Sequence, residues 1–308
     1  MNKIKTLFLL LAVMLITGCA GLTETNDNKD LTIGLMPDVD SIPFILAQEK
    51  GYFKAEGVNV TLMPFKSAQE RDSALQSGNL DGAVSDILAL VFFNDGGFNV
   101  KATSATDGSY KLIAKKDGAT NVAELSGGNV AVSKNTIIEY VTDKVLEREN
   151  LPETSINKVI IPQIPIRLEM LQQGKLDGAT MPEPIATVAL SEGGVKLASS
   201  DGLNINPGVF VVTEQTLTNK KNALQAMYRA YNKAANDLNT VPKEEYIDVV
   251  SEKLGFPPAA RDTLTLPHYR RASLPTVEDT VGIANWLNYK ALVKRIYHYN
   301  EIVTDILP

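Results

Sequence analysis

Apolar residues fall along this chain in two alternating rhythms. Short runs rich in β-branched residues, LTIGL (31–35), VNVTLMPF (58–65) and LDGAV (80–84), read as strands, the first typical of a parallel strand covered on both faces. Between them lie stretches with helical spacing. IPFILAQEKGYFKAEG (42–57) is punctuated by Gly51 and Gly57, and SAQERDSALQ (67–76) carries Ser67 and Glu70 at capping-box spacing with Gly78 placed as a C-cap. The order β-α-β-α-β is the grammar of a parallel sheet with right-handed crossovers.

The same grammar then recurs. NVAVS (129–133) and INKVIIP (156–162) read as strands, NTIIEYVTDKVLEREN (135–150) and PIRLEMLQQ (165–173) as helices, and LDGATM (176–181) as the third strand. An offset of 96 residues pairs Arg71 with Arg167, Gly78 with Gly174, Leu80 with Leu176, and Asp81-Gly82-Ala83 with Asp177-Gly178-Ala179. Matching element order with matching glycines predicts two α/β lobes, each a mostly parallel sheet flanked by helices. Lobe one is expected over 31–106 plus 213–308, with the C-terminal helices, and lobe two over 107–212. The crossings fall in 100–118, around Asp107-Gly108, and in 206–217. A helical core stripe runs through Leu224, Met227, Tyr231, Ala234 and Leu238, and Trp286 reads as packing rather than as part of a ligand box.

Composition narrows the field. A chain of 308 residues that is 44% hydrophobic and 21% charged is long enough for two lobes with separate cores. A formal charge of −6 argues against a nucleic-acid partner. The single cysteine leaves no internal disulfide and no CxxC metal spacing, and His268 and His298 both lie near the C-terminus. With no GxSxG, HExxH or P-loop pattern, neither catalytic residues, nor a cofactor, nor a metal site is expected.

The N-terminus reads as an export segment. A positive MNKIK precedes the apolar run TLFLLLAVMLI (6–16), which is short of the about 20 residues a membrane span needs. ITGC (16–19) resembles the lipobox of bacterial lipoproteins, with Ile16 where Leu is usual; an ordinary secretory signal with an incidental cysteine is the alternative. The resemblance implies that 1–18 are removed and Cys19 is lipidated, anchoring the protein outside the cytoplasm. Loss of Lys3 and Lys5 would move the formal charge from −6 to −8. The polar AGLTETNDNKD (20–30) completes a tether of 19–30.

In open parallel sheets, ligands lie beyond the carboxyl ends of the strands, so facing lobes put those ends around a common cleft. That selects Asp38, Asp40 and Ser41 after the first strand, although Ser41 also suits a helix N-cap. It selects Ser85 and Asp86 after the third strand, Asn135 and Thr136 before the lobe-two helix, and Glu139 one turn into it, where a dipole role is equally suited. Glu183 sits between two prolines, and Thr106 and Asp107 stand near the crossing. Arg167 reads first as a structural ion pair or a solvated helix face, like its counterpart Arg71, with ligand contact as the alternative.

GLMPDVDSIPFILAQEKGYFKAEGVNV, SAQERDSALQSGNLDGAVSD and GKLDGATMPEP together resemble the solute-binding proteins of bacterial ABC importers, in the branch for nitrate, sulfonates, taurine and thiamine pyrimidine precursors. The resemblance covers roughly residues 31–210. It implies a type II Venus flytrap of periplasmic-binding-protein type, a monomer that hands a small solute to ABC permease and ATPase subunits and closes on a hinge. The alternatives are a ligand-sensing module for a receptor, or an enzyme on the same fold such as a pyrimidine synthase or a menaquinone-pathway dehydratase. The many carboxylates near the cleft favour an amine-bearing organic solute over a bare anion, with hydroxyls and helix amides for an anionic group and Glu139 or Glu183 for an amine.

Overall fold

The computed structural model describes residues 29–256 and 258–308. Cys19 and the apolar run before it lie outside the described residues. The strands are β1 (Asp30–Leu35), β2 (Asn59–Pro64), β3 (Gly82–Asp86), β4 (Val100–Ala105), β5 (Tyr110–Ala114), β6 (Asn129–Val132), β7 (Asn157–Ile160), β8 (Gly178–Pro182), β9 (Val195–Ser199) and β10 (Gly208–Thr213). They form two five-stranded sheets of matching order, β2-β1-β3-β10-β4 and β7-β6-β8-β5-β9. The helices that matter below are α1 (Ile42–Glu49), α2 (Ala68–Gln76), α3 (Ile87–Asp95), α4 (Ile137–Arg148), α5 (Ile164–Gln172), α6 (Lys221–Thr240) and α7 (Val277–Tyr289).

In each sheet four strands share a direction and one is reversed: β10 runs against β3 and β4, and β5 against β8 and β9. The sheets are therefore mixed, and the reversed strand is the one next to a crossing. This changes the expected lobe division. Gly208–Thr213 was expected at the end of lobe two but forms the fourth strand of the first sheet, so the return crossing ends before Gly208. The physical reason is the pattern of the strand itself. Val209, Phe210, Val211 and Val212 are all buried, which suits an inner strand with both faces covered, and Phe210 stacks on Phe44 of α1 at 5.2 Å between ring centroids.

The 96-residue repeat has a structural job. Asp81 Oδ2 accepts from the Thr32 amide at 2.8 Å, and Asp177 Oδ2 accepts from the Asn129 amide at 2.8 Å. Each aspartate thus ties the turn before its third strand to the first strand of its own sheet. Each also meets a lysine, Lys220 or Lys115, at 2.8 Å. Leu80 and Leu176 are buried beneath the preceding helix, and Gly78 and Gly174 turn the chain there at φ 77° and 69°, where a side chain would be strained.

The C-terminal segment covers both lobes. The stripe expected on α6 is buried against α1 and the first sheet, and Tyr228 of α6 shares a 2.5 Å hydrogen bond with Thr103 of β4. Helix α7 packs on α3 and also reaches α4 of the second lobe. There Trp286 meets Tyr140 edge to face at 5.3 Å, and Lys290 contacts Asp143 at 3.3 Å and also Glu153.

Candidate ligand-binding cleft

The carboxyl ends of β1, β3, β6 and β8 face one another across a cavity of about 40 Å³. Lobe one contributes Asp38, Arg71, Ser85 and Asp86; lobe two contributes Ser133, Thr136 and Arg167. Arg71, Asp86, Ser133 and Thr136 also border an adjoining groove of about 440 Å³, which extends the cleft between α3 and the start of α4.

The two arginines hold equivalent places. Arg71 Nη1 donates to the Val84 carbonyl at 3.1 Å, and Arg167 Nη1 donates to the Thr180 carbonyl at 3.1 Å. Arg71 is 2% exposed and Arg167 is 1% exposed, so each helix sends a guanidinium inward against the end of its neighbouring strand. Their charge environments differ. Arg71 makes an ion pair with Asp72 at 2.7 Å. Burial pulls the Arg71 guanidinium down, but Asp72, Asp86 and Asp38 outweigh it and hold it above its ordinary value.

Among the described residues Arg167 makes no ion pair and its Nε has no hydrogen-bond partner, and burial alone lowers it to about 9. The repeat explains the difference. At the same 96-residue offset, Leu168 stands where Asp72 does and Pro182 where Asp86 does. The expectation that Arg167 is ion-paired or solvated is therefore corrected: it is a buried, uncompensated cation lining the cleft. A buried charge in this condition is costly until a counter-charge arrives.

Around Arg71 the sign is opposite. Asp38 accepts from Ser41 Oγ at 3.2 Å, and Asp86 caps α3 by accepting from the Ala89 amide at 2.8 Å. Burial pushes both carboxyls above the usual range; Asp40 adds to the effect on Asp38, while Arg71 pulls both back. Ser85 Oγ is buried without a partner.

The other residues singled out from the sequence lie around this core. Thr136 lines the cavity and caps α4, accepting from the Ile138 amide at 3.2 Å. Ser41 sits beneath the cavity, accepting from the Met36 amide at 3.1 Å. Asp40 lies at the hinge floor, where Tyr110 donates to it at 3.2 Å; its burial, above all, raises it to about 6. Thr106 is buried beside it, its amide donating to Gly208 at 3.1 Å, and Asp107 pairs with Arg270 at 2.5 Å on the hinge surface.

Asn135 borders the outer groove. Glu139 accepts from the Asn135 amide at 2.7 Å and pairs with Lys158 at 3.1 Å. Glu183 pairs with Lys111 and accepts from the Thr187 amide at 2.9 Å, just before a cis peptide to Pro184. Neither Glu139 nor Glu183 lines the cavity, and each already has a lysine. Sequence reasoning placed Ser133 at the cleft, gave Arg71 and Arg167 a structural role first, and passed over Tyr110; all four line the cavity.

The fold and its interlobe cleft are those of a periplasmic-binding-protein-type solute binder. The chain belongs to the NMT1-like family, whose profile matches residues 24–252. It is 24% identical over 227 residues, 70% of each chain, to an aliphatic sulfonates-binding protein of Escherichia coli K12. Its fold matches the alkanesulfonate-binding protein of Xanthomonas axonopodis pv. citri bound to MOPS (TM-score 0.77, 19% identity, 90% of this chain and 98% of that one). It also matches the periplasmic nitrate-binding protein of Synechocystis PCC 6803 (TM-score 0.67, 14% identity, 80% and 74%). The resemblance read from the sequence thus holds at the level of family and fold: the chain belongs to the NMT1-like family and shares the fold of sulfonate-binding and nitrate-binding proteins.

Proposed function

We propose that this protein is the extracytoplasmic solute-binding component of an ABC importer that captures a small organic anion between its lobes. The anionic group lies on the Arg167 guanidinium, close to the first turns of α4 and α5. The uncompensated burial of Arg167 carries this reading: among the described residues no carboxylate pairs with it, and its Nε stays without a partner. Helix N-termini add partial positive charge from the same wall, with Thr136, Ile137 and Ile164 lining the cavity there. The likeness to sulfonate-binding and nitrate-binding relatives agrees with an anionic solute. Delivery to permease and ATPase subunits, anchoring through Cys19 and a monomeric state complete the proposal, on the strength of the family and of the ITGC motif.

The test is calorimetry with a panel of short sulfonates and carboxylates against wild type and Arg167→Met. Truncating one member of a buried charge pair costs about 2–5 kcal/mol, so affinity should fall roughly 30-fold to several-thousand-fold. Affinity unchanged in the variant would overturn the assignment.

A further inference from the structure

The two walls of the cleft carry opposite signs. Lobe two presents Arg167 without a counter-charge, whereas lobe one presents Asp38 and Asp86 with Arg71, whose ion pair is spent on Asp72. A ligand that is only an anion would satisfy the first wall and meet carboxylates at the second. We propose that Asp38 and Asp86 form an amine-selecting wall and that the solute is a compact zwitterion, with its acid group on Arg167 and its protonated amine between Asp38 and Asp86. This rests on the reading of Arg167 as the anion seat.

Two buried polar atoms lining the cavity independently point to a ligand bonded at both ends. Among the described residues Arg167 Nε on one wall and Ser85 Oγ on the other have no hydrogen-bond partner; Arg71 Nη2 has none either but is held by its ion pair with Asp72. Asp86 keeps one oxygen on the α3 amides, and Asp38 keeps one on Ser41, a geometry that fixes both carboxylates in place. Tyr110 is the only aromatic residue among those lining the described cavity, so no cage for a quaternary ammonium is built; carboxylates call for a cation that donates N–H bonds. Between the walls Val84, Ile138 and Ile164 offer an apolar belt for a hydrocarbon spacer. A cavity this small calls for a short spacer.

The chemistry corrects where an amine was expected from the sequence. Glu139 and Glu183 are neutralised by Lys158 and Lys111, while among the described residues Asp38 and Asp86 make no ion pair and have only Arg71, already paired with Asp72, as a nearby cation. The acid that stands at the end of β3 has no equivalent at the end of β8, which is why the preference has a direction.

Matched pairs of probes test the inference: 2-aminoethanesulfonate against ethanesulfonate, and 3-aminopropanoate against propanoate. Each is titrated into wild type, Asp38→Asn, Asp86→Asn, the double variant and Arg167→Met, with circular dichroism and melting curves as folding controls. Asparagine retains the N-cap at position 86. Wild type should bind at least one aminated probe ten-fold or more tighter than its plain partner. The double variant should bring that ratio close to one, chiefly by weakening the aminated member. Arg167→Met should weaken both members and leave the ratio largely intact. Equal binding of the pairs by wild type, failure of both aminated probes at millimolar concentration, or a ratio that survives the double variant would each overturn the amine wall. If instead Arg167→Met left all affinities unchanged, the anion seat itself would be wrong.

Discussion

Arg71 and Arg167 show how two residues in equivalent positions acquire different roles through one neighbour each. Asp72 forms an ion pair with the first and Asp86 adds to the negative field around it, whereas Leu168 and Pro182 leave the second bare. The difference predicts opposite stability effects. In the ligand-free protein, Arg167→Met removes a buried charge without a partner and should leave stability unchanged or raise it by about 1–2 kcal/mol. Arg71→Met strands the carboxylates around it and should destabilise by about 3 kcal/mol or more. Urea denaturation of the two variants without ligand checks this, and a loss in Arg167→Met as large as in Arg71→Met would contradict it. The repeat itself was legible in the sequence, because glycines and the Leu-Asp pair serve local geometry. The proposed anion seat was only half legible. Aligning position 71 with 167 suggested equivalence, whereas the signal lay one residue further along, at Asp72 against Leu168.

At the scale of elements, the order β-α-β-α-β could be read because each strand and helix has its own period, and the α6 stripe could be read for the same reason. The placement of β10 could not. Val209 to Val212 are equally suited to an inner strand of either sheet, and only long-range pairing with β3 and β4 decides. This strand brings Gly208 against the hinge floor, where an added Cβ would lie 2.5 Å from Thr106 Oγ1 and 3.0 Å from Asp40 Oδ1. Asp40 joins the turn before α1 to Tyr110 at the start of β5, linking the lobes at the base of the cleft. Its carboxyl is raised from 3.8 to about 6, first by burial and further by Asp107, against the neighbouring Thr106 hydroxyl and the hydrogen bond from Tyr110. The folded protein then holds a proton that the unfolded chain releases, so this group stabilises fully below about pH 4. Its contribution is lost as pH rises towards 6, by roughly 3 kcal/mol at most. Melting curves of wild type and Asp40→Asn at pH 4.5 and 7 read the effect: the variant should gain on wild type as pH rises. A difference between them that stays constant with pH would show that Asp40 does not titrate in this window.

For the whole molecule, the closed cleft and the bare guanidinium pull against each other. Closure is held by the Val39 amide donating to Glu183 at 3.0 Å, by the Ile164 amide reaching Lys66 at 3.4 Å, and by the α7 contacts with α4. Each such hydrogen bond contributes about 1 kcal/mol and an edge-to-face aromatic pair about as much. Against them stands the several-kcal/mol cost of keeping Arg167 out of water with no counter-charge. Opening about the crossings near Thr106 and Gly208 hydrates Arg167, and a bound anion removes the reason to open; the ligand shifts the population by its differential affinity for the closed form. Small-angle scattering should therefore give a larger radius of gyration for ligand-free wild type than for the saturated protein. Arg167→Met supplies the sharper arm of the experiment. Without its buried charge the ligand-free variant should scatter like the closed form, although it binds the solute poorly. A wild-type radius that stays the same on confirmed saturation would remove hinge closure from the mechanism. A variant as expanded as ligand-free wild type would show that something other than Arg167 opens the lobes.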